Sequence, residues 1–203
     1  MDGLWQPLTP EEVKTRFEPF DVDWWVAGGL AIDLFLGWHS RAHEDIDLEM
    51  FKIDRDVLFD VFPGWDLFFV EQSKLHAWRP GLPVPQQVFG IWGRPTPHDP
   101  WAVEIMLSDG DGETWQFRRD NDISFPRSRL TQTGPDGIRY CVPEVQLLFK
   151  AKKHRAKDDA DMVQCLHRLD SAQRSWLSNA LKRSEPLHPW LALIEQAESG
   201  GAE

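Results

Sequence analysis

Val26-Ala-Gly-Gly-Leu-Ala-Ile-Asp-Leu-Phe-Leu-Gly-Trp-His-Ser-Arg-Ala-His-Glu-Asp-Ile-Asp-Leu-Glu49 decides the fold, because it joins a glycine turn to two carboxylates spaced for metal chemistry. Asp45, Ile46, Asp47 and Leu48 alternate polar and apolar, so a strand here turns both aspartates to one face and Ile46 and Leu48 into a core. A hard cation such as Mg²⁺ takes oxygen ligands, commonly one or two carboxylates plus the phosphate oxygens of a substrate. Asp45 and Asp47 suit that role. Upstream, Asp23-Trp-Trp-Val-Ala-Gly-Gly reads as a short apolar strand ending in a Gly28-Gly29 turn. Leu30, Ile32 and Leu34 to Leu36 then begin a helix that Gly37 stops. Glycines between a strand and a helix N-terminus let backbone N–H groups approach a phosphate with no Cβ in the way, and the helix dipole favours the anion.

The order Gly28-Gly29-Leu30-Ala31-Ile32-Asp33, Leu36-Gly37, Ser40-Arg41-Ala42-His43, Asp45-Ile46-Asp47 resembles the nucleotidyltransferase superfamily that includes DNA polymerase beta. It is most similar to the small antibiotic-modifying members, the aminoglycoside 2''-adenylyltransferases and lincosamide nucleotidyltransferases. Ser40 stands where a threonine is usual and keeps the hydroxyl, whereas Leu30 stands where a tryptophan is common. The resemblance implies an α+β nucleotidyltransferase fold, with a small mixed β-sheet, helices packed on it and a C-terminal helical segment. It also implies that Asp45 and Asp47 hold two Mg²⁺ ions and that Gly28, Gly29, Ser40 and Arg41 cradle a triphosphate.

The 203 residues are 41% hydrophobic and 27% charged, an ordinary globular composition with length for one sizeable core or a larger domain plus a helical appendage. The formal net charge of −11 speaks against a nucleic-acid partner, since such partners are gripped by basic surface, and it suits a cationic small molecule better. Eleven tryptophans stand against one tyrosine; they fill a core or line a site where flat substrates stack. Cys141 and Cys165 lie in separate elements without metal-ligand spacing and read as buried free thiols. With no apolar signal region and no run of membrane-spanning length, the expectation is a soluble cytoplasmic protein without a membrane partner.

Outside the central stretch, Thr9-Pro10-Glu11-Glu12 starts a helix with an N-cap hydroxyl, proline at the first position and a closing glutamate; it runs to about Phe17. Glu49 shares the strand face of the two aspartates and is either a further ligand or a rim carboxylate. Asp54 caps a helix with Val57, Leu58 and Val61 inward, and Trp65 to Val70 and Leu75 to Trp78 read as strands. Residues 79–100, rich in proline with Phe89, Ile91 and Trp92 between, read as a long insertion, either an aromatic loop near the acceptor site or a plain excursion. Trp101 to Leu107 is a strand carrying one acidic residue, Glu104, between Val103 and Ile105. A charge there needs a partner or a purpose. The superfamily resemblance implies a third carboxylate at this place, binding metal or taking the proton of the attacking hydroxyl; an arginine partner on the outer sheet face is the other reading. Asp109-Gly-Asp-Gly112 makes a hairpin, and strands follow near Thr114 to Phe117, Ser128 to Gln132 and Ile138 to Cys141.

Pro143 and Glu144 open a helix with Val145, Leu148 and Phe149 as its apolar side, followed by Lys150, Lys152, Lys153, Arg155 and Lys157. That basic run is a solvated face by composition. The string Pro-Glu-x-Gln-Leu-Leu-x-Lys-Ala-Lys also resembles the antibiotic transferases and implies a helix lining the cleft, with Lys150 and Lys157 on the triphosphate and Asp158 and Asp161 organising the turn. Asp170-Ser-Ala-Gln173 starts another helix, and His188 to Ile194 gives a last short one. The domain expectation is a core over 1–142, a helical segment over 143–198 that closes the cleft, and a disordered tail over 199–203. The activity implied is Mg²⁺-dependent transfer of a nucleoside monophosphate, AMP from ATP or its equivalent from another nucleoside triphosphate, to a hydroxyl of a small molecule such as an aminoglycoside. Transfer to a protein hydroxyl, and a nucleotide-binding regulator without turnover, stand as alternatives.

Overall fold

The structure is a computed structural model that describes residues 4–43 and 45–199. Helix α1 (Pro10–Phe17) opens with the full capping box: Glu12 N–H donates to Thr9 Oγ1 (3.2 Å) and Thr9 N–H to Glu12 Oε2 (2.8 Å). Strand β1 (Trp24–Val26) leads directly into helix α2 (Gly28–Leu36), which Gly37 ends in the left-handed conformation at φ 79°. Strand β2 (Asp47–Phe51) follows; then β3 (Asp66–Glu71), β4 (Lys74–Trp78), β5 (Gly90–Arg94) and β6 (Val103–Gly110) complete one side of the sheet. Strands β7 (Thr114–Gln116), β8 (Ser124–Pro126), β9 (Thr131–Thr133) and β10 (Arg139–Cys141) precede the helices α4 (Pro143–Ala151), α5 (Ala156–Leu166), α6 (Ser171–Ser184) and α7 (Trp190–Ser199). The sheet order is β4-β3-β5-β6-β2-β1-β10-β9, with β2 parallel to β6, β1 parallel to β10, and β7 and β8 hanging from β6 as a side ribbon. This is the mixed sheet with packed helices that the sequence implies.

One face of the sheet carries Leu48, Met50, Ile105, Leu107, Ile91 and Leu67, all buried, under α1 and the short helix α3 (Leu58–Val61). Trp24, Trp25, Trp78, Trp92, Trp101, Trp115 and Trp190 are buried, so most of the eleven indoles are core. Cys141 and Cys165 are free and buried. No helix among the described residues is long and apolar enough to cross a membrane.

Four local expectations are corrected. Residues 79–100 are not one loop, because Gly90–Arg94 forms β5 in the middle of the sheet between β3 and β6. Residues 52–57 form a 3₁₀ turn with no side-chain cap from Asp54, and the helix there shrinks to α3. Arg127–Arg129 is 3₁₀ rather than strand, and β8 forms before it where no strand was expected. Ser199 closes α7; the rest of the expected tail, 200–203, lies outside the described residues.

Candidate functional site

A cleft of about 720 Å³ opens between the end of β2, the first turn of α2 and the α4–α5 helices. Gly28, Gly29, Asp45, Asp47, Arg41, Lys150 and Lys157 line it together, although the sequence separates them by more than a hundred positions. Asp47 lies opposite Glu104 on the parallel neighbour β6, as direct register partners. No group of three or more His, Cys, Asp or Glu side chains among the described residues is gathered tightly enough to enclose a metal by itself. A Mg²⁺ site built on one or two carboxylates and substrate phosphates does not require one.

Burial and like charge set these carboxylates apart. Burial, and then the like charges of Asp45 and Glu104, push the Asp47 carboxyl up to about 6, against the partial relief of Lys150 and Lys157. Burial raises Glu104 as well; the indole of Trp92, its register partner on β5, offsets part of that rise, and Asp45 adds to it. Carboxylates crowded so that one keeps its proton toward neutrality are a place where a cation relieves repulsion, and these oxygen donors suit a hard divalent cation. Glu49 is different. It is 3% exposed, accepts from Trp25 Nε1 (3.1 Å) and from Ser108 Oγ, and Ser108 Oγ accepts in turn from Trp115 Nε1 (2.8 Å). The rim reading of Glu49 is therefore overturned: the β6–β7 hairpin covers that end of the face.

Close backbone approach explains the two glycines. Gly28 sits at φ 66°, and a Cβ there would land on the Asp47 carboxylate; at Gly29 a Cβ would strike the Arg41 guanidinium and the His43 ring. The Gly28 N–H donates to Gln146 Oε1 (2.9 Å), which ties α4 to the first turn of α2. Gly28→Ala is expected to cost about 1 kcal/mol through left-handed backbone strain and to lower turnover by about 100-fold by displacing Asp47. Gly37→Ala is the control, since its φ is also positive but nothing lies within 4 Å of its Cβ; thermal unfolding should fall similarly while turnover stays unchanged. Equal activity in both variants would show that the Gly28–Asp47 approach is irrelevant.

Arg41 is held rather than free. His43 Nε2 lies 2.7 Å from Asp33 Oδ2, Arg41 Nη1 lies 3.1 Å from His43 Nδ1, and Arg41 Nη2 lies 3.5 Å from Asp161 Oδ2. Asp33, 3% exposed, also accepts the N–H (3.1 Å) and hydroxyl of Ser40. Burial would raise the Asp33 carboxyl, but the Ser40 and His43 hydrogen bonds outweigh it and hold it below the usual range. Ser40 thus braces the loop from beneath and does not line the cleft, so its expected place on the triphosphate is corrected. Lys150 is likewise engaged, 3.1 Å from Asp158 and 2.8 Å from Asp161.

The cationic wall is wider than the sequence suggested. Eight arginines and lysines line the cleft against Asp45, Asp47 and Asp158. Arg118 and Arg119 are the additions; both stack on Phe149, and Arg118 also on Phe89. A pair of arginines following Trp-Gln-Phe in a hairpin carries no local sign of a cleft. The net charge of −11 therefore describes the rest of the surface and not this site.

A family model described as Aminoglycoside-2''-adenylyltransferase matches residues 11–65. The solution structure of the antibiotic-resistance factor ANT(2'')-Ia matches with a TM-score of 0.57 at 15% identity, over 93% of this chain and 95% of that one. The crystal structure of ANT(2'')-Ia in complex with adenylyl-2''-tobramycin gives 0.57 at 15%, over 85% and 95%. The lincomycin-bound lincosamide antibiotic adenylyltransferase LnuA gives 0.52 at 18%, over 78% and 97%. No curated protein sequence matches. At these identities the likeness is one of fold, and the chain has the nucleotidyltransferase fold.

Proposed function

We propose that this chain, built on the nucleotidyltransferase fold, moves a nucleoside monophosphate from a nucleoside triphosphate, ATP in the first instance, to a hydroxyl of a small molecule. One observation carries the reading: Asp47 and Glu104 are register partners on adjacent parallel strands, beside a cleft whose opposite wall is cationic. Asp45 and Asp47 would hold divalent cations of the Mg²⁺ type, which supply charge neutralisation at the phosphates. Gly28 and Gly29 bring the first turn of α2 against the phosphate chain. Arg118, Arg119, Lys152, Lys153 and Lys157, with no carboxylate within ion-pair distance among the described residues, receive the β- and γ-phosphates. Glu104, raised by burial, takes the proton of the acceptor hydroxyl. The acceptor oxygen bonds to the α-phosphorus, the bond from that phosphorus to the bridging oxygen breaks, and pyrophosphate leaves with the electron pair.

The test is pyrophosphate release from each of the four nucleoside triphosphates with Mg²⁺, against aminoglycosides, lincosamides and simple sugars, with acceptor-free controls. Release that depends on one acceptor establishes donor and acceptor together. Nucleotide binding without release across the panel removes small-molecule transfer in favour of a protein target or a regulator.

Cation binding should also depend on pH with a defined sign. Asp47 keeps its proton up to about pH 6 and must lose it to take a cation. Affinity for Mg–ATP is therefore nearly full at pH 7 and falls by about ten-fold from pH 7 to pH 5, with proton release on binding. Calorimetry in buffers of different ionisation enthalpy reads both quantities; a flat profile from pH 5 to 7 would remove Asp47 from the cation site.

A further inference from the structure

The sheet does not stop at Glu104. Across β6, β5, β3 and β4 the register sets Glu104 beside Trp92, Trp92 beside Phe68 and Phe68 beside Ala77, while Met106 lies beside Gly90 and Val70 beside Leu75. Alternation turns these residues to the face that carries Asp47 and Glu104. Trp5, Trp101 and the Arg94 guanidinium cover the Trp92–Phe68 row, whereas Met106, Gly90, Val70 and Leu75 are half-buried and uncharged, so this second row is a strip that runs from the cleft, which Met106 lines, to the edge strand.

Gly90 makes a notch in that strip. Its φ is not positive, and a Cβ there would meet Glu104 Oε1 and Val70 Cγ2 at 3.9 Å, which is ordinary contact. Backbone strain therefore does not require glycine. What its missing side chain leaves is space beside the Glu104 carboxylate, the point from which an acceptor hydroxyl would be deprotonated.

Resting on the transfer reading above, we infer that this strip is the acceptor platform, and that the acceptor has an apolar flank next to its reacting hydroxyl and carries at most one positive charge. Two features select that chemistry. Beyond Glu104 the floor of Met106, Gly90, Val70 and Leu75 offers apolar contact and no further carboxylate for an ammonium group. The facing wall is already cationic, with Arg118 stacked between Phe89 and Phe149, so a polycation meets repulsion there. The site then has two unlike halves, a cationic one for the polyphosphate and an apolar one for the acceptor.

The experiment compares binding of phenyl β-glucoside, methyl β-glucoside and a polycationic aminoglycoside to the full chain with Mg–ATP present, followed by equilibrium dialysis. Gly90→Val fills the notch, and Leu75→Glu charges the strip at its edge, where folding is least exposed to the change. Wild type should bind the phenyl glycoside at least about ten-fold more tightly than the methyl glycoside. Both variants should lose that advantage, with the Mg–ATP dissociation constant unchanged within about two-fold. Equal binding of the two glycosides, no binding of either, tightest binding of the aminoglycoside, or an advantage that survives in both variants overturns the inference. Failure of wild type to bind Mg–ATP, with the phenyl preference intact, instead sinks the transfer reading and leaves an apolar ligand site.

Discussion

Asp47→Asn should lower acceptor-dependent turnover by about 1,000-fold or more while making the nucleotide-free protein more stable. The first half follows from its place: Asp47 carries the carboxylate that lies against Gly28 and opposite Glu104, and an amide cannot balance a cation there. The second half follows from linkage. The Asp47 carboxyl is raised from 3.8 to about 6 by burial and by Asp45 and Glu104. A carboxyl that binds its proton more tightly in the folded state lowers stability as pH rises from about 4 to about 6, and above that the penalty is complete. Asparagine is neutral at every pH, so at pH 7 it removes a penalty of order 1–2 kcal/mol after allowance for partial exposure. The thermal midpoint of Asp47→Asn should exceed that of wild type at pH 7 and converge with it near pH 4. Saturating Mg–ATP should reverse the order, because only wild type gains the ligand's stabilisation. An asparagine variant less stable than wild type at pH 7 without nucleotide would mean that Asp47 is a structural partner. Unchanged turnover would remove the metal-site assignment outright.

What the sequence disclosed and what it hid divide along the range of the interactions. The caps at Thr9 and Asp170 are set by residues within a few positions of each other and form as read, whereas the Gly28-Gly29 pair is the first turn of α2 rather than a turn before it, and Asp45 lies in an exposed bend ahead of β2, which starts only at Asp47. Glu104 was legible for a similar reason, since a lone acid in an apolar strand demands an explanation. Strand β5 was hidden because Gly90 and Gly93 lower strand propensity and prolines flank it; pairing with β3 and β6 on both sides overrides that. The face of Glu49 was read correctly, but its burial depends on the hairpin that brings Trp115 over it, more than sixty positions later. Arg118 and Arg119 follow β7 in the turn that leads to β8. Net charge misled for a related reason, because it sums over a surface whose signs are sorted in space.

Asp161→Ala should cost about 3 kcal/mol of stability, the largest loss expected from any single change near the cleft. The helix begun at Pro143 stops at Ala151, Lys153 takes φ 58°, and α5 starts at Ala156, although no glycine or proline marks the break. Ion pairs hold the bend. Lys150, 8% exposed, reaches Asp158 and Asp161; Asp158 also accepts from the Arg155 backbone (3.0 Å) and Nε (2.9 Å); Asp161, 1% exposed, faces Arg41 as well. Burial would raise Asp158, yet its bonds to Arg155 and the charge of Lys150 bring it down to about 2. Among the described residues, deleting Asp161 leaves the buried Lys150 ammonium with Asp158 as its one carboxylate and Arg41 with His43 as its one side-chain partner, so stability and Mg–ATP binding should fall together. The pair Lys150→Met with Asp161→Leu separates the two effects. Apolar groups of similar volume replace buried ions at little cost, so the unfolding free energy from denaturant titration should return to within about 1 kcal/mol of wild type, whereas Arg41 still lacks its carboxylate and Mg–ATP binding stays weak. Recovery of both in the double variant would show that the ion cluster only props the bend open. An Asp161→Ala protein as stable as wild type would show that it does not hold the bend at all.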